Sequence, residues 1–238
     1  MNEEKYLDNI QKISELLKEN EMILRNNGYN PPINNYTVEN DKRIKIPAGY
    51  IRKSDIFWEK YHLSDIIEIQ SVGKNITYAL QLSDYYNFIV NRFNIWGSIE
   101  RMLYKQMFVN VIAVIEALIL ECANNVNSFC KKNCSKAKNC LNYINKNSRG
   151  NMRQAVEKLF EIGILSFSEE EKNRLIEFYI LRNKIHIRLN KENEFLDNKF
   201  NCKLYNEAIN MLHNVTECIY TNGIQYYNKC IGHREINQ

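Results

Sequence analysis

The chain has few residues that break regular secondary structure. It contains 8 glycines and 3 prolines in 238 residues, and its apolar residues recur mostly at spacings of three and four. That period is typical of helices with one buried face, so the sequence predicts an all-α protein. With 45% hydrophobic and 25% charged residues, the composition is that of a chain able to bury a core and excludes a disordered protein.

The chain also lacks a long apolar run and a strong excess of charge. Its longest apolar run, residues 107–120 (MFVNVIAVIEALIL), is interrupted by Asn110 and Glu116 and is shorter than the ~20 residues of a membrane span. The polar and acidic start, MNEEKYLDNIQ, does not have the pattern of a signal peptide. A net charge of +4 is too small to indicate a nucleic-acid partner by itself. We expect a cytoplasmic protein with no membrane partner.

Helix start and stop signals divide the chain into two predicted regions. The first is an N-terminal helical region at 1–95, with a long irregular connection at 28–54 that begins with Gly28 and a pair of prolines. The second is a helical bundle at 96–238. Ser168 and Glu171 have the spacing of a capping box, which predicts a helix start near 169. The helices predicted in the second region cover about 98–125, 151–162, 169–188 and 202–229.

Two ionisable residues continue an apolar helix face in the second region. At 100° per residue, Arg182 and His186 extend the apolar side of the helix predicted at 169–188. An arginine stays charged, and burying it unpaired costs several kcal/mol. Glu116, which interrupts the apolar run of the 98–125 helix, needs a partner as well. The simplest interpretation is a structural Arg182–Glu116 ion pair with His186 as a hydrogen-bonded neighbour. The alternative is a functional site shared between two subunits.

The order of motifs resembles a known family. A helix with VIAVIEALI and its glutamate is followed by VEKLFEIGILSFSEEEKNRLIEFYILRNKIHI and by one closing amphipathic helix. Over residues 98–230, this order resembles the HEPN superfamily of α-helical bundles. The signature of that family is an arginine, usually followed by a polar residue, and a histidine near the end of a late helix. Arg182, Asn183 and His186 match it by type and position, although the spacing between Arg182 and His186 is one residue shorter than the usual minimum.

The resemblance implies a homodimeric endoribonuclease of the toxin or antiviral (phage) defence kind, with an antitoxin as a further partner. Arg182 would clamp the phosphate, Asn183 would position it by hydrogen bonding, and Glu116 would orient Arg182. His186 would be the general acid and base, with the second subunit supplying a second copy across a two-fold axis. No metal or other cofactor is required for this chemistry. The alternative is a non-catalytic HEPN-like module that dimerises or binds a nucleotide or RNA.

A basic segment is the candidate RNA-binding surface. Between Glu121 and Glu157 the chain has no acidic residue, and such a block suits contacts to phosphate, with Phe129 and Tyr143 able to stack a base. The other interpretation is a solvated basic loop without a partner. The basic residues are Lys131, Lys132, Lys136, Lys138, Lys146, Arg149 and Arg153.

The same segment contains three cysteines, Cys130, Cys134 and Cys140. Their spacing is not that of a standard zinc ribbon, but so many cysteines in a short segment are unusual for a cytosolic protein. We therefore consider a structural zinc site, with Cys122, Cys202 or a histidine as the fourth ligand. The alternative is a set of free thiols in a reducing compartment.

Overall fold

A computed structural model describes residues 3–28, 45, 47–133, 151–183 and 199–235, the last eight of these and Asn133 by their backbone alone. All regular elements in these ranges are helical, which confirms the predicted all-α class. The chain forms two compact units, residues 1–46 and 47–238.

In its described residues, the first unit contains one helix, α1 (Glu3–Asn26). Acidic residues lie in its first turn and Arg25 in its last, as the helix dipole favours. The helix ends before Gly28, which adopts a left-handed conformation (φ 84°). Ion pairs one turn apart, such as Lys12 with Asp8 (2.7 Å), lie on its surface, and none of its residues is buried.

The second unit is built around one long central helix. Its elements are a 3-10 turn (Ala48–Tyr50), α2 (Ser54–Lys60), α3 (Leu63–Ile66), α4 (Gln70–Arg92), α5 (Gly97–Asn133), α6 (Met152–Glu161), α7 (Glu169–Asn183) and α8 (Cys202–Glu235). Helix α5 contacts α3, α4, α6, α7 and α8. Residues of the apolar run such as Met107, Val111, Ile115 and Leu118 are fully buried in this core. By length and composition α5 would also suit a membrane, but most of its apolar stretch is buried inside the bundle, so this is weak evidence for a span.

Helix α5 is longer than predicted. Its predicted end lay near 125, whereas the helix continues to Asn133. Ala123, Val126 and Cys130 are buried at the helical spacings that follow Ile119. The prediction was wrong because polar residues become frequent after 123 although the buried stripe continues. The basic segment therefore begins on a helix.

Residues 47–95 belong to the same compact unit as the remainder of the bundle, whereas the sequence analysis grouped them with the N-terminal helix. Helix α4 packs along α5 and buries Ile76 and Leu80. Helix α2 approaches α4 closely at Gly73, where a Cβ atom would lie 2.6 Å from Cζ2 of Trp58. Packing of this kind depends on the shapes of two faces, and no sequence motif marks it.

The start of α7 agrees with the predicted capping box. The backbone N–H of Ser168 donates to Oε2 of Glu171 (2.9 Å), and the backbone N–H of Glu171 donates to Oγ of Ser168 (3.2 Å). Farther along, Phe178 is buried edge to face against Phe108 of α5, with ring centroids 5.4 Å apart. These contacts fix the helix at both ends and place Arg182, one turn after Phe178, beside α5.

Candidate functional site

Arg182 and Glu116 contact each other at the junction of α7 and α5. Nη2 of Arg182 lies 3.2 Å from Oε2 of Glu116. Nη1 of the same guanidinium donates to Oδ1 of Asn183 (3.1 Å). The expected contact between Arg182 and Glu116 is thus confirmed, and Asn183 joins it. Three of the four predicted catalytic residues form one polar cluster.

This cluster lies at the edge of the bundle and outside the core. The side chains of Arg182 and Glu116 are 31% and 21% exposed, and Asn183 is exposed. The nitrogen–oxygen distance of 3.2 Å is longer than the roughly 2.7–2.9 Å of a strong charge-assisted hydrogen bond. Ion pairs with this degree of exposure are worth at most about 1 kcal/mol. The guanidinium can therefore exchange a carboxylate oxygen for a phosphate oxygen at small cost.

The fourth predicted catalytic residue, His186, lies outside the described residues. So do four basic residues of the candidate RNA surface, Lys136, Lys138, Lys146 and Arg149.

The basic residues that are described are exposed. Lys131 and Lys132 lie in the last turn of α5, and Arg153 lies in the first turn of α6, where its Nε is 3.1 Å from Oε1 of Glu157. Phe129, in contrast, packs against Tyr227 with ring centroids 4.6 Å apart. The ring thus has an intramolecular partner, and its role as a stacking platform for a base stays a prediction. Tyr143 is outside the described part of the chain.

The cysteines that are described do not form a metal site. Cys130 is buried on α5, with its Sγ 3.6 Å from the hydroxyl of Tyr226. Burial raises the pKa of Cys122 to about 12, which keeps it a thiol when a metal ligand must be a thiolate. Within the described ranges no group of three His, Cys, Asp or Glu residues could hold a metal ion. Cys134 and Cys140 lie outside those ranges, so the zinc site stays a prediction.

A second arginine–carboxylate pair was missed by the sequence analysis. Nε and Nη2 of Arg52 donate to Oδ2 and Oδ1 of Asp84 at 2.9 and 2.6 Å. The backbone N–H of Arg52 donates to the same carboxylate (3.0 Å), and Gln81 donates to the backbone carbonyl of Arg52 (3.0 Å). The available signal was Asp84 itself, which continues the buried stripe of Ile76 and Leu80 on α4.

The surroundings of this second pair stabilise its charged state. The hydrogen bonds that Arg52 donates to Asp84 raise the pKa of Arg52. Burial is the main cause that raises the pKa of Tyr61 and of Tyr205, the hydroxyl groups nearest to the pair. Both tyrosines therefore remain neutral throughout the usual pH range.

A third polar group involves two of the four histidines. The ring of His62 stacks on Tyr220 with centroids 3.9 Å apart, and its Nε2 lies 3.4 Å from Oε1 of Glu217. Nδ1 of His213, an exposed residue, lies 3.9 Å from the same oxygen. The sequence showed no partner for His62 because Glu217 belongs to a distant helix, α8.

Comparison with known proteins adds no family to these observations: the chain matches no family model, no curated protein and no solved structure. The resemblance to the HEPN superfamily therefore rests on the residues described above.

Proposed function

We propose that the chain is a HEPN-like, homodimeric endoribonuclease that cleaves RNA without a metal ion, of the toxin or antiviral defence kind. The observation that carries the proposal is the cluster of Arg182, Glu116 and Asn183. It joins the end of α7 to the centre of α5, the two helices that bear the motif residues. The loose, half-exposed contact suits an arginine that must accept a phosphate.

The chemistry follows from the residue types. A neutral His186 takes the proton from a ribose 2′-hydroxyl, whose oxygen then attacks the adjacent phosphorus. The His186 of the second subunit gives a proton to the leaving 5′-oxygen. Arg182 stabilises the additional negative charge on the phosphate oxygens in the transition state, while Glu116 keeps its guanidinium oriented. The products are a 2′,3′-cyclic phosphate and a free 5′-hydroxyl.

The surface beside the cluster supports a second subunit. On α5, Ala113 and Leu120 lie one turn before and after Glu116 on the same side, and both are partly buried. Small and apolar side chains let another helix approach closely, and an isologous dimer places both copies of a residue near one axis.

The test is cleavage of a labelled single-stranded RNA in EDTA by the full chain. Arg182→Ala and His186→Ala should each lower the rate by roughly a hundredfold or more. Arg182→Lys should fail to restore it, because a point charge cannot make a two-pronged phosphate contact. Arg174→Ala is the matched control: Arg174 lies on the same helix and is also ion-paired, with Glu177 and Glu207. Its variant should cut at the parental rate.

The short spacing between Arg182 and His186 favours one second candidate, a non-catalytic module that binds RNA or a nucleotide. This candidate is supported if the parent protein is a dimer by light scattering and binds the RNA without cutting it. If both alanine variants cut as fast as the parent, the Arg182 cluster is structural and the ribonuclease proposal fails.

A further inference from the structure

Helix α1 has an apolar face that none of the described residues buries. No residue of the helix is buried, and Ile13, Leu16 and Ile23 are 49%, 59% and 51% exposed. Helix formation by itself is only marginally favourable in water, so a helix derives most of its stability from the packing of its apolar face. The chemistry of this face indicates which partner covers it.

The face has the seven-residue period of a coiled coil. Asn9, Ile13, Leu16, Asn20 and Ile23 follow one another at alternating spacings of four and three residues, which are the spacings of the side chains that meet along a coiled coil. We call this line of residues the seam. None of the five is charged, so a second helix can pack against the seam without burying an ion.

The charged residues of α1 disfavour a membrane surface as the partner. A helix that lies on a membrane is usually rich in lysine and arginine on its polar face, whereas α1 has six acidic residues against four basic ones. Some of these charges pair within the helix, one turn apart, such as Arg25 with Glu21 (2.6 Å). The seam, in contrast, is the surface that another helix can cover.

The seam matches its own copy when the two helices run in opposite directions. With the two-fold axis midway between Ile13 and Leu16, Ile13 faces Leu16 of the second copy and Asn9 faces Asn20. Apolar residues therefore meet apolar residues. The two amides meet in one layer, where each can donate and accept a hydrogen bond.

The residues that flank the seam favour this arrangement over a parallel one. In the antiparallel pair, Lys12 lies opposite Glu19 of the second copy, and Ile10 lies opposite Leu17 on the other side. In a parallel pair, Lys12 would lie opposite Leu17, so that a charge would meet an apolar side chain. Lys12 also contacts Asp8 of its own helix (2.7 Å), but its side chain is 63% exposed. Because an ammonium group has three donors, it can contact both carboxylates.

We propose that α1 pairs with α1 of a second copy of the chain as a two-stranded antiparallel coiled coil. This contact is separate from the surface beside the Arg182 cluster and does not depend on the ribonuclease activity. It gives the chain a second way to associate with its own copy. Two chains joined through α1 hold their bundles at a raised local concentration, which favours a weak contact between the bundles.

The experiment is photo-cross-linking of the purified full chain with benzoylphenylalanine at one position at a time. In place of Ile23, on the seam, the probe should give a covalent dimer attached at or near Tyr6 of the second copy. Met22 is a similarly exposed neighbour (62%) that points away from the seam. In its place, the probe should give less than about a tenth of that yield, because adjacent residues of a helix face different directions.

Charge variants test the alignment of the two helices, with the probe in place of Ile23 and at a protein concentration that gives half-maximal yield for the parent. Lys12→Glu places it opposite Glu19 of the second copy and should lower the yield about fivefold or more. Combining Lys12→Glu with Glu19→Lys should return the yield to within about twofold of the parent, since opposite charges again face each other. Lys18→Glu, the same change of charge on the other side of α1, is the matched control and should give the parental yield. Melting curves identify any variant that fails to fold.

The point of attachment and the variants decide the outcome. Arg182→Ala should cross-link like the parent, which separates this contact from the ribonuclease proposal. Attachment near Ile23 of the second copy would indicate a parallel pair, and attachment within residues 47–238 would assign the face of α1 to another surface of the chain. Either result, the absence of a covalent dimer, or a parental yield with Lys12→Glu overturns the proposal.

Discussion

The two arginine–carboxylate pairs of the bundle differ in how firmly they are held. Asp84 binds Arg52 through two side-chain contacts and one backbone contact, and its own side chain is 10% exposed. Glu116 lies 3.2 Å from Arg182, measured from Oε2 to Nη2, and both side chains are partly exposed. The first pair anchors the segment before α2 to α4. The second is held less firmly, so its guanidinium can change orientation more easily.

The largest expected difference between the pairs is in stability. Asp84→Ala leaves Arg52 partly buried without its carboxylate and should lower the free energy of unfolding by about 3 kcal/mol. Glu116→Ala should lower it by less than about 1 kcal/mol, since Arg182 can turn toward water. Urea unfolding followed by circular dichroism measures both. As a control, Arg52→Met combined with Asp84→Leu should recover much of the loss, because no charge is left unpaired. Equal losses for the two single variants would contradict the distinction.

The packing around the Arg52–Asp84 pair should likewise not tolerate a larger side chain. A Cβ at Gly73 would collide with the ring of Trp58, so Gly73→Ala should cost about 1–3 kcal/mol of stability. The matched control is Gly223→Ala on α8, where a Cβ meets nothing within 4 Å. It should leave stability unchanged or raise it by up to about 1 kcal/mol, because alanine favours the helix. Thermal melting of both variants provides the measurement. If Gly73→Ala leaves the melting temperature unchanged, the ring of Trp58 can move aside at little cost.

The loosely held Arg182–Glu116 pair (the loose pair) could be predicted from the sequence. The firmly held Arg52–Asp84 pair (the firm pair) could not. Glu116 stood out as a charge in an apolar run, and Arg182 stood out as a charge on an apolar helix face, so each implied the other. The periodicity that shows such breaks also predicted the all-α class, and the spacing of Ser168 and Glu171 predicted the capping box that starts α7. Patterns within short segments were sufficient for these features, because each of them depends on residues that are close together in the sequence.

The firmly held Arg52–Asp84 pair required information that a single sequence does not contain. Arg52 lies in a segment without a periodic pattern, and 32 positions separate it from Asp84. The signal from Asp84 was weak because a helix with many tyrosines and asparagines suits a wet surface as well as a core. For the same reason the end of α5 was placed too early, since polar residues near Cys130 concealed a buried stripe that continues.

Alkaline pH should also destabilise the packing around the Arg52–Asp84 pair before it destabilises the packing around the Arg182–Glu116 pair. Burial raises the pKa of Tyr61 and Tyr205 above the ordinary value of 10.0. Each tyrosine is therefore protonated more strongly in the folded chain than in the unfolded chain. Its contribution to stability is complete below pH 10 and is lost as the pH rises through the folded-state pKa.

The free energy of unfolding, measured by urea titration from pH 8 to 11, should thus decline above about pH 10. Tyr205→Phe should make that decline shallower, because phenylalanine has no proton to lose. Tyr78→Phe, at an exposed position on α4, is the control and should follow the parental curve. A decline of the same slope in all three proteins would show that the buried hydroxyl groups are not its cause.

The smallest expected effect concerns the response of the two pairs to salt. A double-mutant cycle of Arg182→Met and Glu116→Gln should give a coupling below about 1 kcal/mol at low salt. That coupling should approach zero in 1 M NaCl, where the screening length falls to ~3 Å and the pair is open to solvent. The corresponding cycle of Arg52→Met and Asp84→Asn should retain most of its coupling, because Asp84 is buried and its contacts are hydrogen bonds of fixed geometry. Both cycles are measured by urea unfolding at each salt concentration. A coupling between Arg182 and Glu116 that resists salt would contradict the distinction between the two pairs.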